Sequence, residues 1–487
     1  MNYPAGKPMI SESEPLSLTI DGERVEAARH RAIVDPATGG PFRRAPEADL
    51  EHLETAVAAA QRAFRDWSAT SWAGRRERVL AFCDRVIADI DNLSRLVAQE
   101  VGKPLSKAVA EVNGGVFFAR GFAALELKTE VLRDTPTQFV RADKRPIGVV
   151  GAITAWNYPA LLAMWKIAPA VLTGNTIVLK PAPSTPLATL RLGELAQEIF
   201  PKGVVNVLSG GDELGRRITE HPAIGKISFT GSVATGKAIM ASAAVTLKRL
   251  TLELGGNDAA IVMPDFDIDA QAEDLFWAAF SNNGQVCACM KRTYVPRALN
   301  DRLCERFAKI AQSVKLGAFD EADVQIGPIQ NQKQFDRITE LVAEAERRQA
   351  PYYKGAIPNR DGYFFPITLF KDLPEDCRLV TEEQFGPALP LIPYDVIEDA
   401  IAKANDSVYG LGASVWGQDI DAAQIVAARL QAGNVFVNQH PSMGPDIPYG
   451  GIRHSGIGVE CGLEGLAAYT NTVVLNVKKP PVRVEPD

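Results

Sequence analysis

From Ile147 to Leu254 the chain alternates short β-rich apolar runs with segments of helical periodicity, and this alternation constrains the fold more than any other feature. The β-rich runs fall at 149–155, 176–179, 204–208, 226–229 and 250–254, and the helical segments at 161–172, 187–199 and from about 234. Strands at this interval are joined by crossovers long enough to reach a parallel neighbour, and such crossovers are right-handed. The pattern predicts a parallel sheet covered by helices, the architecture that binds dinucleotides beyond its strand ends. No G-x-G-x-x-G fingerprint is present. In its place Gly231-Ser232-Val233-Ala234-Thr235-Gly236 reads as a strand-to-helix turn whose amides would face a pyrophosphate.

A second α/β pattern follows, with β-rich runs at 259–262, 293–295, 389–392, 412–416 and 435–438 and helices over 269–281 and 301–314. At 487 residues the chain exceeds one ordinary core, so the two patterns read as separate α/β domains. Ahead of them, apolar residues recur at helical spacing over 49–67 and 72–101, as in Val79, Phe82, Val86 and Ile90. Residues 1–46 hold one alternating segment, Leu16 to Ile20, and little chemistry is expected there.

Composition excludes several classes of function. Net charge is −7 and no basic run tracks phosphates, so nucleic acid is not an expected partner. No apolar stretch reaches the length of a membrane span and the N-terminus lacks a signal-peptide core, which makes the expected address cytoplasmic. Six dispersed cysteines suit a reducing compartment. Cys287 and Cys289 form a C-x-C pair, but none of the five histidines stands at ligand spacing to it, so no metal is expected. Cys289 reads as a packed neighbour.

Two stretches carry candidate chemistry. Phe280 to Cys287, F-S-N-N-G-Q-V-C, puts a cysteine after a compact loop, between the small residues Val286 and Ala288, where its sulfur can attack a carbonyl carbon. A lone cysteine is more often inert core. Leu252 to Ala259, L-E-L-G-G-N-D-A, puts Glu253 at a strand end before a glycine pair that permits close backbone approach. An apolar setting there would raise the carboxyl pKa toward that of a working base.

Together these stretches resemble the two signature motifs of the aldehyde dehydrogenase superfamily, F-x-x-x-G-Q-x-C and E-L-G-G. The likeness extends to Ala155-Trp156-Asn157-Tyr158-Pro159, Lys180-Pro181-Ala182, Gly231-Ser232 with Gly236, Glu382-Glu383-Gln384-Phe385-Gly386-Pro387 and Pro448-Tyr449-Gly450-Gly451, spanning about Asn92 to Thr470. The resemblance implies a Rossmann-like cofactor domain (1–128 and 146–255), a catalytic domain (256–455) and a small β oligomerisation arm (129–145 and 471–487), hence a homodimer or homotetramer.

The resemblance also implies roles. Cys287 would be the nucleophile, Asn157 a donor to the developing oxyanion and Glu253 the base for thioester hydrolysis, with Lys166 near the relay. A lysine at a helix flank is otherwise simply solvated. NAD or NADP would be held by Trp156, Lys180, Gly231, Ser232, Gly236, Glu383 and Phe385. Pro183 stands where many members carry glutamate, so weak discrimination between NAD and NADP is expected. Tyr158, Leu162, Trp165, Ser281, Val286 and Tyr449 would line the substrate pocket. The lining segments contain no arginine, and His440 is the basic side chain in 438–449, so a neutral apolar or aromatic aldehyde is expected. Two other readings stand beside this one: a CoA-acylating enzyme, disfavoured by Glu253, and a non-catalytic binding protein, disfavoured by Cys287, Glu253 and Asn157. A cysteine hydrolase would need a histidine base, and none is evident.

Overall fold

The computed structural model describes residues 15–480. The start of the expected cofactor domain, 1–14, and the end of the expected arm, 481–487, lie outside the described residues.

The first sheet has eight strands, ordered Gly456–Ile457, Arg249–Glu253, Ile224–Thr230, Val149–Ile153, Thr176–Lys180, Val205–Val207, Leu18–Ile20, Glu23–Val25. Its central run, from Arg249–Glu253 to Val205–Val207, is parallel. Thr176–Lys180 and Val149–Ile153 are buried along their whole length, as strands covered on both faces must be. Chain order reverses between Val149–Ile153 and Ile224–Thr230, which opens a crevice beyond the carboxyl ends.

The second sheet has seven strands, ordered Tyr353–Lys354, Thr368–Lys371, Ala388–Tyr394, Met290–Pro296, Asp258–Val262, Gly412–Trp416, Asn434–Val437, parallel except at the first. Along Asp258–Val262 the side chains alternate: Ala259 and Ile261 enter one apolar cluster, Ala260 and Val262 the cluster on the opposite face. A three-stranded antiparallel sheet stands apart, ordered Thr470–Lys478, Gln138–Pro146, Glu130–Asp134. No helix among the described residues is long and apolar enough to cross a membrane.

Among the departures from the sequence reading, three bear on the site. Residues 72–101 form two helices, Trp72–Ala88 and Ile90–Val101, divided at Asp89. Helix Leu105–Ala124 went unread because it is apolar on most faces and holds Gly114 and Gly115; a Cβ on Gly115 would sit 3.1 Å from Met164, so the glycine lets this helix close on Pro159–Leu172. The third is a hairpin of Arg29–Val34 with Pro41–Glu47, in the stretch expected to carry little chemistry.

Candidate active site

The strand ends of the two sheets meet in one seam. Val149–Ile153 runs into Trp156 and Asn157, Thr176–Lys180 ends on Lys180, Ile224–Thr230 on Gly231 and Ser232, and Arg249–Glu253 on Glu253. Five residues later the second sheet opens at Asp258, and its next strand opens at Met290, just after Cys287. Residues scattered over 130 positions are thereby gathered by parallel register alone.

The turn before Cys287 is unusual backbone. Asn282, Asn283 and Gly284 all have positive φ, of 50°, 58° and 72°. Asparagine tolerates this region better than most residues, and Gly284 is required, since a Cβ there would lie 2.4 Å from the Gly386 carbonyl oxygen. Side chains brace the turn: Asn283 Nδ2 donates to the Gly327 carbonyl at 2.8 Å, and Gln285 Oε1 accepts the Gln330 N–H at 2.9 Å. The Asn157 side-chain amide donates to the Gln285 carbonyl at 3.0 Å, which ties it to the cysteine turn across 128 positions. Burial pushes the Cys287 thiol up to about 12, with Lys291 acting against that rise and Glu253, Glu383 and Asp258 adding to it. Cys289 is buried, its sulfur on the Gly284 carbonyl at 3.5 Å.

Glu253 is 5% exposed and its Oε1 has no hydrogen-bond partner. Burial raises its pKa well above the ordinary carboxylate range; Glu460 pushes the same way and Lys166 opposes. Lys166 is fully buried and ion-paired with Glu460, so the solvated flank expected of it is corrected: Trp165 and Ile167 beside it are also inward-facing, and no face of Pro159–Leu172 reaches water there. Ser228 Oγ donates to the same Glu460 oxygen at 3.1 Å, leaving Glu460 Oε2 unpartnered. Glu460 went unread in the sequence because nothing local marks it.

The residues expected at a cofactor fit one. Helix Val233–Ala243 starts at Ser232, whose Oγ caps the Thr235 N–H at 3.2 Å, and its first turn is open to solvent. Gly236 is buried on Leu254, where a Cβ would meet side-chain carbon at 2.6 Å. Glu383 accepts the Gly256 N–H at 3.0 Å and crowds Gly255, whose Cβ would be 2.0 Å from Glu383 Oε2. Phe385, at φ 48°, stands edge-on to Trp156 with ring centroids 5.3 Å apart. Lys180 is 3% exposed and burial lowers its pKa to about 8, with Asp212 and Glu47 raising it and Arg31 lowering it. Asp212, Glu47 and Arg31 line a cleft of about 270 Å³ between the hairpin and helix Asp212–Glu220.

The pocket candidates divide. Trp165 stacks edge-on with Phe118 at 4.7 Å and with Tyr449 at 6.2 Å, and Trp165 Nε1 and the Tyr449 hydroxyl are both buried without a partner. Leu162, on helix Pro159–Leu172, is buried, and Val286, in the nucleophile turn, is half-buried. The Tyr158 ring is covered by the Lys103 ammonium at 3.8 Å. Ser281 is exposed, its hydroxyl turned back on the Trp277 carbonyl at 2.6 Å. His440, the one basic side chain of its segment, is buried 3.4 Å from Asp258 and is not offered to a ligand. Phe118 was missed for the same reason as its helix.

Comparison with known proteins bears on this arrangement. A sequence profile described as the aldehyde dehydrogenase family matches residues 24–475. The chain is 36% identical over 450 residues to aldehyde dehydrogenase LUC3 of a Fusarium species, covering 92% of this chain and 95% of that one. It is 36% identical over 481 residues to phenylacetaldehyde dehydrogenase of Pseudomonas fluorescens, covering 94% and 95%. Among solved structures, betaine aldehyde dehydrogenase of Staphylococcus aureus in complex with NAD+ superposes with a TM-score of 0.93 at 33% identity, covering 97% of each chain.

Proposed function

The chain belongs to the aldehyde dehydrogenase family, an NAD(P)-dependent enzyme of small-molecule aldehydes, and from that premise we propose that it oxidises a neutral apolar or aromatic aldehyde to the carboxylic acid through a covalent intermediate on Cys287. The observation that carries the reading is the buried Glu253 carboxylate, its Oε1 without a hydrogen-bond partner, at the end of the strand that meets the Cys287 turn.

The Cys287 thiol gives up its proton to solvent water and its sulfur adds to the aldehyde carbon, forming the C–S bond of a thiohemiacetal as the C=O π bond becomes the oxyanion. The second N–H of the Asn157 amide, the one not spent on Gln285, donates to the oxygen on which charge develops; one such donor is commonly worth ~10²–10³ in rate. Trp156, Phe385, Glu383 and the helix at Ser232 would hold the dinucleotide, which when bound would supply the hydride acceptor needed to turn the thiohemiacetal into a thioester. Glu253 then takes a proton from water, whose oxygen attacks the thioester carbon; the C–S bond breaks and Cys287 is regenerated. A raised pKa suits the role, because a base matched to working pH both accepts and returns its proton. The proton leaves toward Glu460, whose free Oε2 and Lys166 partner share the same buried site.

Phe118, Trp165 and Tyr449 supply aromatic walls, and the phenylacetaldehyde enzyme among the relatives agrees with that lining. We assign the cofactor to residues 1–128 and 146–255, catalysis to 256–455, and assembly of a homodimer or homotetramer to the arm, in a cytoplasmic enzyme. Initial rates of nicotinamide reduction with phenylacetaldehyde, a straight-chain aldehyde, betaine aldehyde and a carboxylate-bearing aldehyde test the reading. Highest kcat/KM for the first two is expected; selectivity for the carboxylate-bearing substrate overturns the substrate class.

A further inference from the structure

Lys291 takes no part in the reaction above, yet its side chain is 1% exposed and lies directly under the nucleophile turn. Its Nζ donates to the carbonyl oxygens of Val286 at 3.0 Å, Cys287 at 2.6 Å and Cys289 at 3.4 Å. Three carbonyls occupy three ammonium hydrogens, so the charge is fixed in position. Its counter-ion, Glu383 Oε1, stands 3.6 Å away, too far for a hydrogen bond but close enough for charge. Gln384 Nε2 donates to the Lys291 carbonyl at 2.9 Å, so the segment carrying Glu383 also fixes the backbone of Lys291.

An ammonium that bridged carbonyls only to hold a turn could sit anywhere along it. This one bonds the carbonyl of the nucleophile itself. The groups acting on Cys287 are Glu253, Glu383 and Asp258, all of which oppose a thiolate, and Lys291, which favours it. Tyr449 belongs to the same cluster of titratable groups, its hydroxyl making no hydrogen bond, and the His440 ring stands 3.4 Å from Asp258. Burial works to discharge Lys291, but Cys289, Glu383, Asp258 and Cys287 together hold its pKa above the ordinary value, so the charge persists at neutral pH. Three acidic groups around a sulfur that must ionise need an opposing cation.

We propose that Lys291 is a positioning residue for Cys287, pinning the carbonyls of the nucleophile turn and setting a fixed positive charge beneath the sulfur that favours its thiolate. The proposal rests on Cys287 as the nucleophile, and its test reads the sulfur directly.

Lys291→Arg, Lys291→Gln and Lys291→Met are compared with the parent by iodoacetamide alkylation across a pH series, with Cys287 followed by peptide mass spectrometry and folding by circular dichroism. Glutamine keeps donors for the carbonyls without charge; arginine keeps the charge. Glutamine and methionine are expected to move the alkylation midpoint up by about one pH unit or more, and to slow alkylation ~10-fold at neutral pH, while arginine stays near the parent. A glutamine profile matching the parent, or an arginine profile displaced as far as glutamine, overturns the proposal and leaves Lys291 a staple. If the methionine variant does not fold, glutamine against arginine decides. Turnover retained by Cys287→Ala would defeat the nucleophile reading instead, without touching the alkylation profile of the Lys291 variants.

Discussion

Lys166 and Glu460, 294 positions apart, form an ion pair with neither side chain open to water by more than 4%. The pair acts on Glu253 with opposite signs, Glu460 raising its pKa and Lys166 lowering it. Lys166→Met should therefore move the rising limb of the pH–rate profile to higher pH, and Glu460→Gln should move it lower. Each single change should also cost about 3–5 kcal/mol in urea unfolding, because it leaves a buried charge alone, and the double Lys166→Met/Glu460→Met should recover much of that. Limbs displaced in the same direction would show that the pair does not set the Glu253 field.

Glu253→Gln should release a burst of reduced nicotinamide and then stall, since hydride loss precedes the water step. Rapid-quench kinetics should find the burst intact, and mass spectrometry an acyl group on Cys287. The rising limb should vanish with it, as glutamine has no proton to lose. Burst and steady rate falling together would assign the base elsewhere.

Cys287→Ala should abolish aldehyde oxidation while NAD binding, read by quenching of protein fluorescence, changes by less than about threefold. On the proposed reading the sulfur contacts the reacting carbon, whereas the dinucleotide would be held by Glu383, Phe385 and the helix at Ser232. Loss of binding with loss of turnover would mean that the variant is misfolded.

Cofactor choice rests on the cleft beside Lys180. Pro183 removes one carboxylate, but Glu47, Asp49, Asp212 and Glu213 line the cleft against Arg29 and Arg31. Arg31 is already engaged by Glu47 at 3.0 Å. An added 2′-phosphate meets net negative charge, so NAD should be favoured over NADP by kcat/KM, on the order of tenfold for ~1.4 kcal/mol. Asp212→Asn and Glu47→Gln should each relax the ratio. An unchanged ratio in both would place the adenosine end elsewhere.

The arm leaves apolar side chains bare: Val131, Leu132, Val474, Leu475 and Val477 are each 41–56% exposed, on the two edge strands of its sheet. Edges of this kind seek partners. Light scattering should give a dimer or tetramer, and Val131→Lys with Val474→Lys should shift it toward monomer. A monomeric parent at micromolar concentration would refute the assembly.

The alternation of strands and helices was legible because backbone geometry imprints its own period on neighbouring residues, and every strand read between 149 and 438 is present within a few residues of its expected bounds. Cys287 and Glu253, the proposed nucleophile and base, stood out for a similar reason: each sits in a short run whose neighbours, the Asn-Asn-Gly turn and the glycine pair, shape the backbone that presents it, whereas Asn157 was drawn by resemblance alone. Helix Leu105–Ala124, with little contrast between its faces, left no such imprint.

What the tertiary structure alone decided is which charges lie out of water and what they face. Lys166 looks like an ordinary solvated lysine in the sequence, and Lys291 and His440 carry no local mark of their setting; folding buries all three against Glu460, Glu383 and Asp258. Nothing near them in the chain records this, because their partners are brought in from strands and loops up to 294 positions away. The sequence by itself determined the parallel sheets and the residues displayed at their ends, since those follow from local periodicity. The field in which those residues work is a sum over through-space neighbours in a low dielectric, and it exists only once the two sheets have closed on one another.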